Sequence, residues 1–310
     1  MLRSRHRTGS RLVPDRRRHR GEGEEHRPAS GRPGLRPAPG PPASYPAFIN
    51  LSPTGNITKK KHRLLIRSTL LATALLSSRL AAEEVRIAVA ANFTDVTRQI
   101  APLFEQATGH TTRISYGSTG MLFSQIENGA PFDLYLAADI RRPVQAEAAG
   151  LAVPGSRFIY ARGKLVLWSA NQGAFEAGES FLKQGEYAHA AIANPETAPY
   201  GLAARQVMEH LGVWQTLQPR LVRGDSIAQT FQFVATGNAD IGFVACSQVK
   251  AWQKTPGTTW EIPADYYDPI DQAAVLLKRG ENNPAALAFL AFLKRESTRA
   301  VIERFGYGVE

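Results

Sequence analysis

The fold is decided by the stretch VRIAVAANFT, residues 85–94. Its first six residues are apolar apart from Arg86 and rich in β-branched side chains, which predicts a short buried strand. A turn containing Asn92 follows, and then a helical pattern with Val96 and Ile100 on one face. A strand that ends where a helix begins is the basic unit of an α/β fold.

Three further segments repeat this join between an apolar strand and a helix. They are Tyr116-Gly117-Ser118-Thr119-Gly120, Ala198-Pro199-Tyr200-Gly201 and Gly224-Asp225-Ser226-Ile227. A helix N-terminus carries unpaired backbone N–H groups and a partial positive charge, so each join is a potential anion donor. Four of them at one cleft would hold an oxyanion without a charged side chain. Capping of the helix would by itself explain any one of Asn92, Ser118 and Ser226.

Strands and helical patterns alternate along residues 83–310 at the spacing of βαβ units. The strands are predicted at residues 85–90, 112–116, 133–138, 164–168, 189–193, 221–223, 241–245 and 273–277. One sheet would need an unusually long run of strands, so two lobes are more economical. The predicted architecture is α/β, with a mostly parallel sheet flanked by helices in each lobe and two hinge crossovers. Residues 83–163 and 273–310 form the first lobe, and residues 164–272 form the second lobe with the crossovers.

The positive charge of the chain lies at its N-terminus. Residues 1–82 carry 17 Lys and Arg against 4 Asp and Glu, a net charge of +13, whereas residues 83–310 carry a net charge of −3. Residues 1–58 are rich in Arg, Pro and Gly and are predicted to be a disordered extension. A start codon assigned too far upstream is an alternative explanation of this segment. Because the basic excess lies outside the region able to fold, it does not indicate a nucleic-acid partner.

Residues 59–82 have the pattern of a signal peptide. Three consecutive lysines begin the segment, a mostly apolar run covers residues 64–78, and small residues precede Glu83. Arg67 and Arg79 interrupt the segment, so it is too short and too charged for a membrane span. A surface amphipathic helix is the alternative. The segment predicts an exported protein that functions in the periplasm.

The order and spacing of several motifs resemble those of the periplasmic molybdate-binding proteins of ABC importers. The motifs are residues 90–94, 117–120, 125–133, 194–201 and 304–307, so the resemblance spans residues 83–310. It implies a type II periplasmic-binding-protein fold and an exported solute-binding protein that captures molybdate or tungstate. The implied partners are an inner-membrane ABC permease and its ATPase. The protein is expected to be a monomer, without enzymatic activity, nucleic-acid partner or cofactor other than its ligand.

The resemblance also implies the ligand-binding residues. The first-lobe contacts fall on Asn92 and on Ser118 and Thr119, through side-chain and backbone donors. The second-lobe contacts fall on Tyr200 and Ile227, chiefly through backbone N–H groups. The metal is held as an oxyanion by these residues, without direct metal ligands. Other relatives supply a tyrosine hydroxyl where this chain has Ala245, which gives Tyr200 more weight here.

Neutral donors suit a fully ionised oxyanion. None of the four helix starts contains Lys or Arg, and hydrogen bonds to a full charge in a dry cleft contribute about 1.5–3 kcal/mol each. The nearest alternative ligand is another tetrahedral oxyanion, such as sulfate, thiosulfate or phosphate. An effector-sensing domain of a transcription factor and an enzyme acting in the cleft are the remaining alternatives.

Two other features are interpreted as structural. Cys246 follows an apolar strand and is expected to be a buried small apolar residue. Asp139 beside Arg141 and Arg142 is interpreted as a helix cap next to a solvated ion pair.

Overall fold

The structure is a computed structural model that describes residues 82–309. The predicted extension at residues 1–58, and all of the predicted signal peptide except residue 82, lie outside the described residues. The strands are β1 (Glu84–Ala90), β2 (Thr111–Gly117), β3 (Leu134–Leu136), β4 (Phe158–Gly163), β5 (Leu165–Ser169), β6 (Ala190–Ala193), β7 (Leu221–Gly224), β8 (Ile241–Ala245), β9 (Thr258–Glu261) and β10 (Ile270–Leu276).

Helices alternate with these strands. They are α1 (Thr94–Thr108), α2 (Thr119–Glu127), α3 (Arg141–Ala148), α4 (Gly178–Gln184), α5 (Pro199–His210), α6 (Trp214–Leu217), α7 (Ile227–Ala235), α8 (Cys246–Ala251), α9 (Pro284–Leu293) and α10 (Glu296–Arg304). Within residues 82–309, none of them has both the length and the hydropathy that a membrane span needs.

The strands form two sheets of five strands each. Their orders are β2-β1-β3-β10-β4 and β7-β6-β8-β5-β9. Each sheet has two parallel pairings at one side and two antiparallel pairings at the other. The predicted α/β architecture with two sheets is therefore confirmed, while the sheets are mixed rather than mostly parallel. One strand in each sheet runs antiparallel to both of its neighbours: β10 in the first sheet and β5 in the second. In each case it is the strand that the chain enters directly after it leaves the other sheet.

The chain passes between the sheets twice. Lys164 alone separates β4 from β5, and residues 262–269 separate β9 from β10. The two crossovers lie side by side, because the Leu165 amide donates to the Tyr267 hydroxyl at 3.1 Å. An ion pair between Arg162 and Asp271 joins the flanking strands. The division of the chain into two moving lobes stays a prediction.

Eight of the ten strands among residues 82–309 were predicted, whereas β4 and β9 were not. The sequence of β4, FIYARG, carries Arg and Gly at positions where a buried strand is normally apolar. The sequence of β9, TTWE, is only four residues long and half-exposed. Both are outer strands of their sheets, so they need only one hydrogen-bonded neighbour, and a weak pattern is sufficient there.

The C-terminal helices complete the first sheet rather than the second. Phe104 of α1 packs edge-to-face against Phe289 and Phe292 of α9, with ring centroids 5.0 and 5.6 Å apart. Such contacts add to the burial of apolar area in fixing the two helices together. They hold α1, and so the turn at its N-terminus, firmly against the first sheet.

Candidate functional site

Four helix starts converge on one small cavity. The 3-10 turn Ala91–Phe93 precedes α1, and α2, α5 and α7 begin at the three other predicted segments. The cavity is small, with a volume of about 10 Å³. Its lining residues are Ala90, Ala91, Asn92, Ser118, Thr119, Ala138, Ala198, Pro199, Tyr200 and Ile227. All five residues named from the sequence thus lie around one space.

Ser118 and Thr119 form the α2 side of the cavity. The Ser118 hydroxyl accepts from the Met121 amide at 3.4 Å, which confirms its capping role. The Thr119 hydroxyl accepts from the Ala138 amide at 3.1 Å. Both hydroxyls act as acceptors in these bonds, so each keeps its own hydrogen to donate. The Thr119 amide, at the first helical position, has no acceptor within the helix.

Asn92 lies in the turn before α1 and is only 2% exposed. Its Nδ2 atom donates to Gln272 Oε1 and to the Tyr307 hydroxyl, each at 2.9 Å. Both hydrogens of this amide are therefore used within the protein, which leaves the backbone N–H as its donor toward the cavity. The residue before α1 is Phe93, without a side-chain cap, so the capping interpretation of Asn92 is wrong.

Tyr200 and Ile227 form the opposite side. Tyr200 follows Pro199 in the first turn of α5, and Ile227 is the first residue of α7 after the capping residue Ser226. The carbonyl of Ile227 accepts from Gln248 Nε2 at 3.1 Å, which anchors this turn from α8. Backbone N–H groups at these positions lack intrahelical acceptors. Gly201 lets α5 begin directly against β6, since a Cβ there would lie 2.3 Å from the Ala193 carbonyl oxygen.

Direct hydrogen bonds join the two sides at the rim of the cavity. The Gly120 amide donates to the Thr197 carbonyl at 2.8 Å. Arg142 Nη2 donates to the Glu196 carbonyl, also at 2.8 Å, while Nη1 of the same side chain pairs with Asp139 at 2.5 Å. These contacts connect α2 and α3 with the segment before α5, so the cavity is closed at this rim.

The interpretation of Arg142 as part of a solvated pair is wrong. The residue is 7% exposed, because its guanidinium is enclosed between Asp139 and the Glu196 carbonyl. The capping role of Asp139 is confirmed, since its Oδ1 accepts from the Arg142 amide at 2.9 Å. An arginine fork offers several donors in fixed directions, and here it uses them on a carboxylate and a backbone carbonyl.

The cavity favours an anion although its lining contains no positively charged side chain. All ten lining residues are neutral, and the positive ends of four helix starts point toward the same space. Burial raises the pKa of Tyr200 well above its ordinary value, so its hydroxyl stays protonated. A neutral lining with N–H and O–H donors fits a fully ionised oxyanion, whose oxygen atoms carry only lone pairs.

The described residues lack a cluster of metal-ligating side chains, and the one thiol among them is not activated. No group of three His, Cys, Asp or Glu side chains within residues 82–309 has the spacing of a metal site. Burial raises the pKa of the Cys246 thiol, which makes the thiolate scarce at neutral pH. Cys246 was expected to be buried, and the structure shows that it is only partly buried.

Residues 85–308 match the family described as bacterial extracellular solute-binding protein. The chain belongs to this family. Molybdate-binding protein ModA of Azotobacter vinelandii is 50% identical over 241 residues, which are 77% of this chain and 96% of that relative. Molybdate-binding protein ModA of Rhodobacter capsulatus is 50% identical over 230 residues, 74% of this chain and 90% of the relative.

Solved structures give the same result for this solute-binding protein. The structure of the Azotobacter vinelandii periplasmic molybdate-binding protein superimposes with a TM-score of 0.70 and 41% identity. The match covers 73% of this chain and 99% of that structure. The sulfate-binding protein SubI of Mycobacterium tuberculosis H37Rv has a TM-score of 0.62 at 15% identity, covering 73% of this chain and 86% of that structure, a likeness of fold alone.

Sequence reasoning missed the polar residues behind the cavity. Gln272, Tyr160 and Tyr307 are buried and bond directly or through one another to Asn92 and Tyr200. The only signal was the glutamine itself, which stands in the apolar strand IDQAAVL and must find partners when buried.

Proposed function

We propose that this protein captures molybdate or the similar tungstate ion in the periplasm and delivers it to an ABC permease with its ATPase. The ligand is a dehydrated tetrahedral oxyanion, and it is held by Asn92, Ser118, Thr119, Tyr200 and Ile227. Backbone N–H groups supply most of the donors, and the hydroxyls of Ser118 and Thr119 add to them. The protein acts as a monomeric carrier.

The observation that carries this proposal is the neutral cavity at four helix starts. It is too small for an organic ligand of ordinary size, since such pockets measure about 300–1,000 Å³, whereas this one measures about 10 Å³. Its N–H and O–H donors satisfy the lone pairs of a fully ionised oxyanion, and its lining contains no acidic or basic side chain. Two relatives that are 50% identical to this chain are named molybdate-binding proteins, which supports molybdate among the tetrahedral oxyanions.

Capture follows from closure of two lobes. Residues 83–163 and 273–310 form one lobe and residues 164–272 the other, and they rotate about the two crossovers. The ion first meets one set of helix starts, and closure then brings the second set and expels water. The bonds from Gly120 to Thr197 and from Arg142 to Glu196 form in the closed shape. The permease recognises that shape.

Titration calorimetry of the purified protein with molybdate, tungstate, sulfate and phosphate tests the ligand. We expect tight binding of molybdate and tungstate, with sulfate and phosphate at least a hundredfold weaker. Elemental analysis of freshly purified protein, expected to contain molybdenum or tungsten near one atom per chain, checks the ligand acquired in the cell. Equal affinities for sulfate and molybdate would contradict the proposal.

A further inference from the structure

A buried polar cluster lies behind the cavity and is not part of its lining apart from two members. It consists of Asn92, Tyr160, Tyr200, Ser247, Gln272 and Tyr307, all at most 5% exposed. Burying this many polar groups is costly unless all of them are hydrogen-bonded. The ligand contacts proposed above do not explain why Tyr160, Ser247, Gln272 and Tyr307 are polar.

Gln272 is the centre of this polar cluster and is completely buried. Its Oε1 atom accepts from Asn92 Nδ2 at 2.9 Å and from the Tyr160 hydroxyl at 3.0 Å. Its Nε2 atom donates to the Tyr200 hydroxyl at 3.2 Å. Both ends of the amide therefore have hydrogen-bond partners within the polar cluster.

The two site residues that Gln272 joins lie on opposite sides of the cavity. Asn92 belongs to the turn that follows β1 in the first sheet, and Tyr200 belongs to α5, which packs on the second sheet. One amide side chain thus connects the donors on the two sides. Because Asn92 and Tyr200 offer backbone N–H groups to the cavity, the glutamine influences the distance between those groups.

The surroundings of Gln272 make this connection rigid. The polar cluster lies against the first crossover, where a Cβ on Gly163 would be 2.2 Å from the Tyr200 hydroxyl and 2.8 Å from Gln272 Nε2. Gln272 itself stands where the register of β10 shifts against β4. The Tyr307 hydroxyl, 2.8 Å from the Asn92 carbonyl and 2.9 Å from Ser247, holds the Asn92 turn from behind.

We propose that Gln272 is a positioning residue that sets the separation of the two halves of the oxyanion cavity and thereby its size selectivity. The inference rests on the proposed function. Molybdate and sulfate have the same charge and shape, so neutral donors distinguish them mainly by spacing. Without the connection through Gln272, the two halves come closer together around the smaller ion, and the preference of the cavity for the larger ion falls.

The test replaces Gln272 by methionine, which has similar length and no strong hydrogen-bonding groups. The exposed Gln215 of α6, mutated to methionine, is the matched control. Calorimetry with molybdate and with sulfate gives the ratio of the two dissociation constants. We expect Gln272→Met to reduce the preference for molybdate at least tenfold and Gln215→Met to leave it within twofold of the wild type.

A second variant, Tyr200→Phe, removes only the hydroxyl that Gln272 binds on the α5 side. We expect it to reduce the selectivity in the same direction, and the double variant to add little to either single change. If Gln272→Met does not fold, the selectivity ratio of Tyr200→Phe tests the inference instead. A merely structural role would lower the melting temperature with the selectivity ratio unchanged, and that result in both variants would overturn the inference. Failure of the wild type to bind molybdate would instead contradict the proposed function.

Discussion

The backbone donor at Ile227 can be removed without disturbing its helix. Ile227 is the first residue of α7, a position where proline is favoured because its missing N–H has no acceptor within the helix. The preceding residue, Ser226, has φ −143° and ψ 165°, in the extended region that a residue before proline prefers. Ile227→Pro therefore replaces the N–H that we propose as a ligand donor by a ring methylene, and the α7 turn should stay intact.

The expected loss of affinity follows from the charge of the ligand. A hydrogen bond from a neutral donor to a charged acceptor contributes about 1.5–3 kcal/mol, and about 1.4 kcal/mol corresponds to a tenfold change in the dissociation constant. Ile227→Pro should therefore weaken molybdate binding about 10- to 150-fold. Intrusion of the ring into a cavity of about 10 Å³ adds to this loss.

Titration calorimetry measures the effect, with Ile227→Val as the control. Valine has as many side-chain carbons as proline and keeps the N–H, so it reproduces the change in side-chain burial alone. Circular dichroism and the melting temperature of the ligand-free protein verify that α7 is retained. If both variants bind molybdate equally well, the Ile227 amide is not a ligand donor, and the assignment of this side of the site is wrong.

Three further predictions concern the rim, the α2 start and the buried tyrosines. Gly120→Ala should weaken molybdate binding about tenfold or more in calorimetry, because its Cβ would lie 2.8 Å from Arg142 Nη2 and 3.0 Å from Thr197 Cα and would press the two sides of the rim apart. Exposed Ser124→Ala in the same helix is the control. Ser118→Ala should lower the free energy of unfolding by about 1 kcal/mol because the helix cap is lost, which lowers the melting temperature by a few degrees, and it should also weaken molybdate binding. If the melting temperature falls while the affinity is unchanged, Ser118 caps the helix and does not bind the ligand. Burial raises the pKa of Tyr160 and Tyr200 well above 10. Above about pH 10 only the unfolded chain releases these protons, so the free energy of unfolding should fall as the pH rises further. Denaturant titrations from pH 8 to pH 11 measure this, and a constant free energy of unfolding would contradict it.

The sequence predicted which residues line the cavity where local chemistry determines their position. The joins at Asn92, Ser118, Tyr200 and Ile227 are visible because a strand pattern, a small or polar turn and a helical pattern follow one another within a few residues. Backbone donors at such joins depend on position in the chain and little on the side chain. Their convergence could be anticipated from the rule that helices begin at the carboxyl ends of parallel strands.

The parts that were missed depend on contacts between distant residues. Gln272 bonds to Asn92, 180 residues away in the chain, and to Tyr200, 72 residues away. A local sequence pattern does not predict contacts between residues so far apart. Arg142 next to Asp139 looks like an exposed pair in the sequence, and only the approach of Glu196 encloses it. The outer strands β4 and β9 were missed because a single neighbour suffices to hold a weak strand at an edge.

The placement of β10 has a consequence for how the chain acquires its structure. This strand lies between β3 and β4, yet it is made only after the whole second sheet has been synthesised. Until residues 270–276 emerge, β4 has no neighbour on its inner side and the first sheet remains split. The second sheet, by contrast, uses strands from one continuous stretch of residues 165–261. Pairings across such sequence distances slow folding, so the second sheet is the natural early folding unit, and the oxyanion cavity is assembled last.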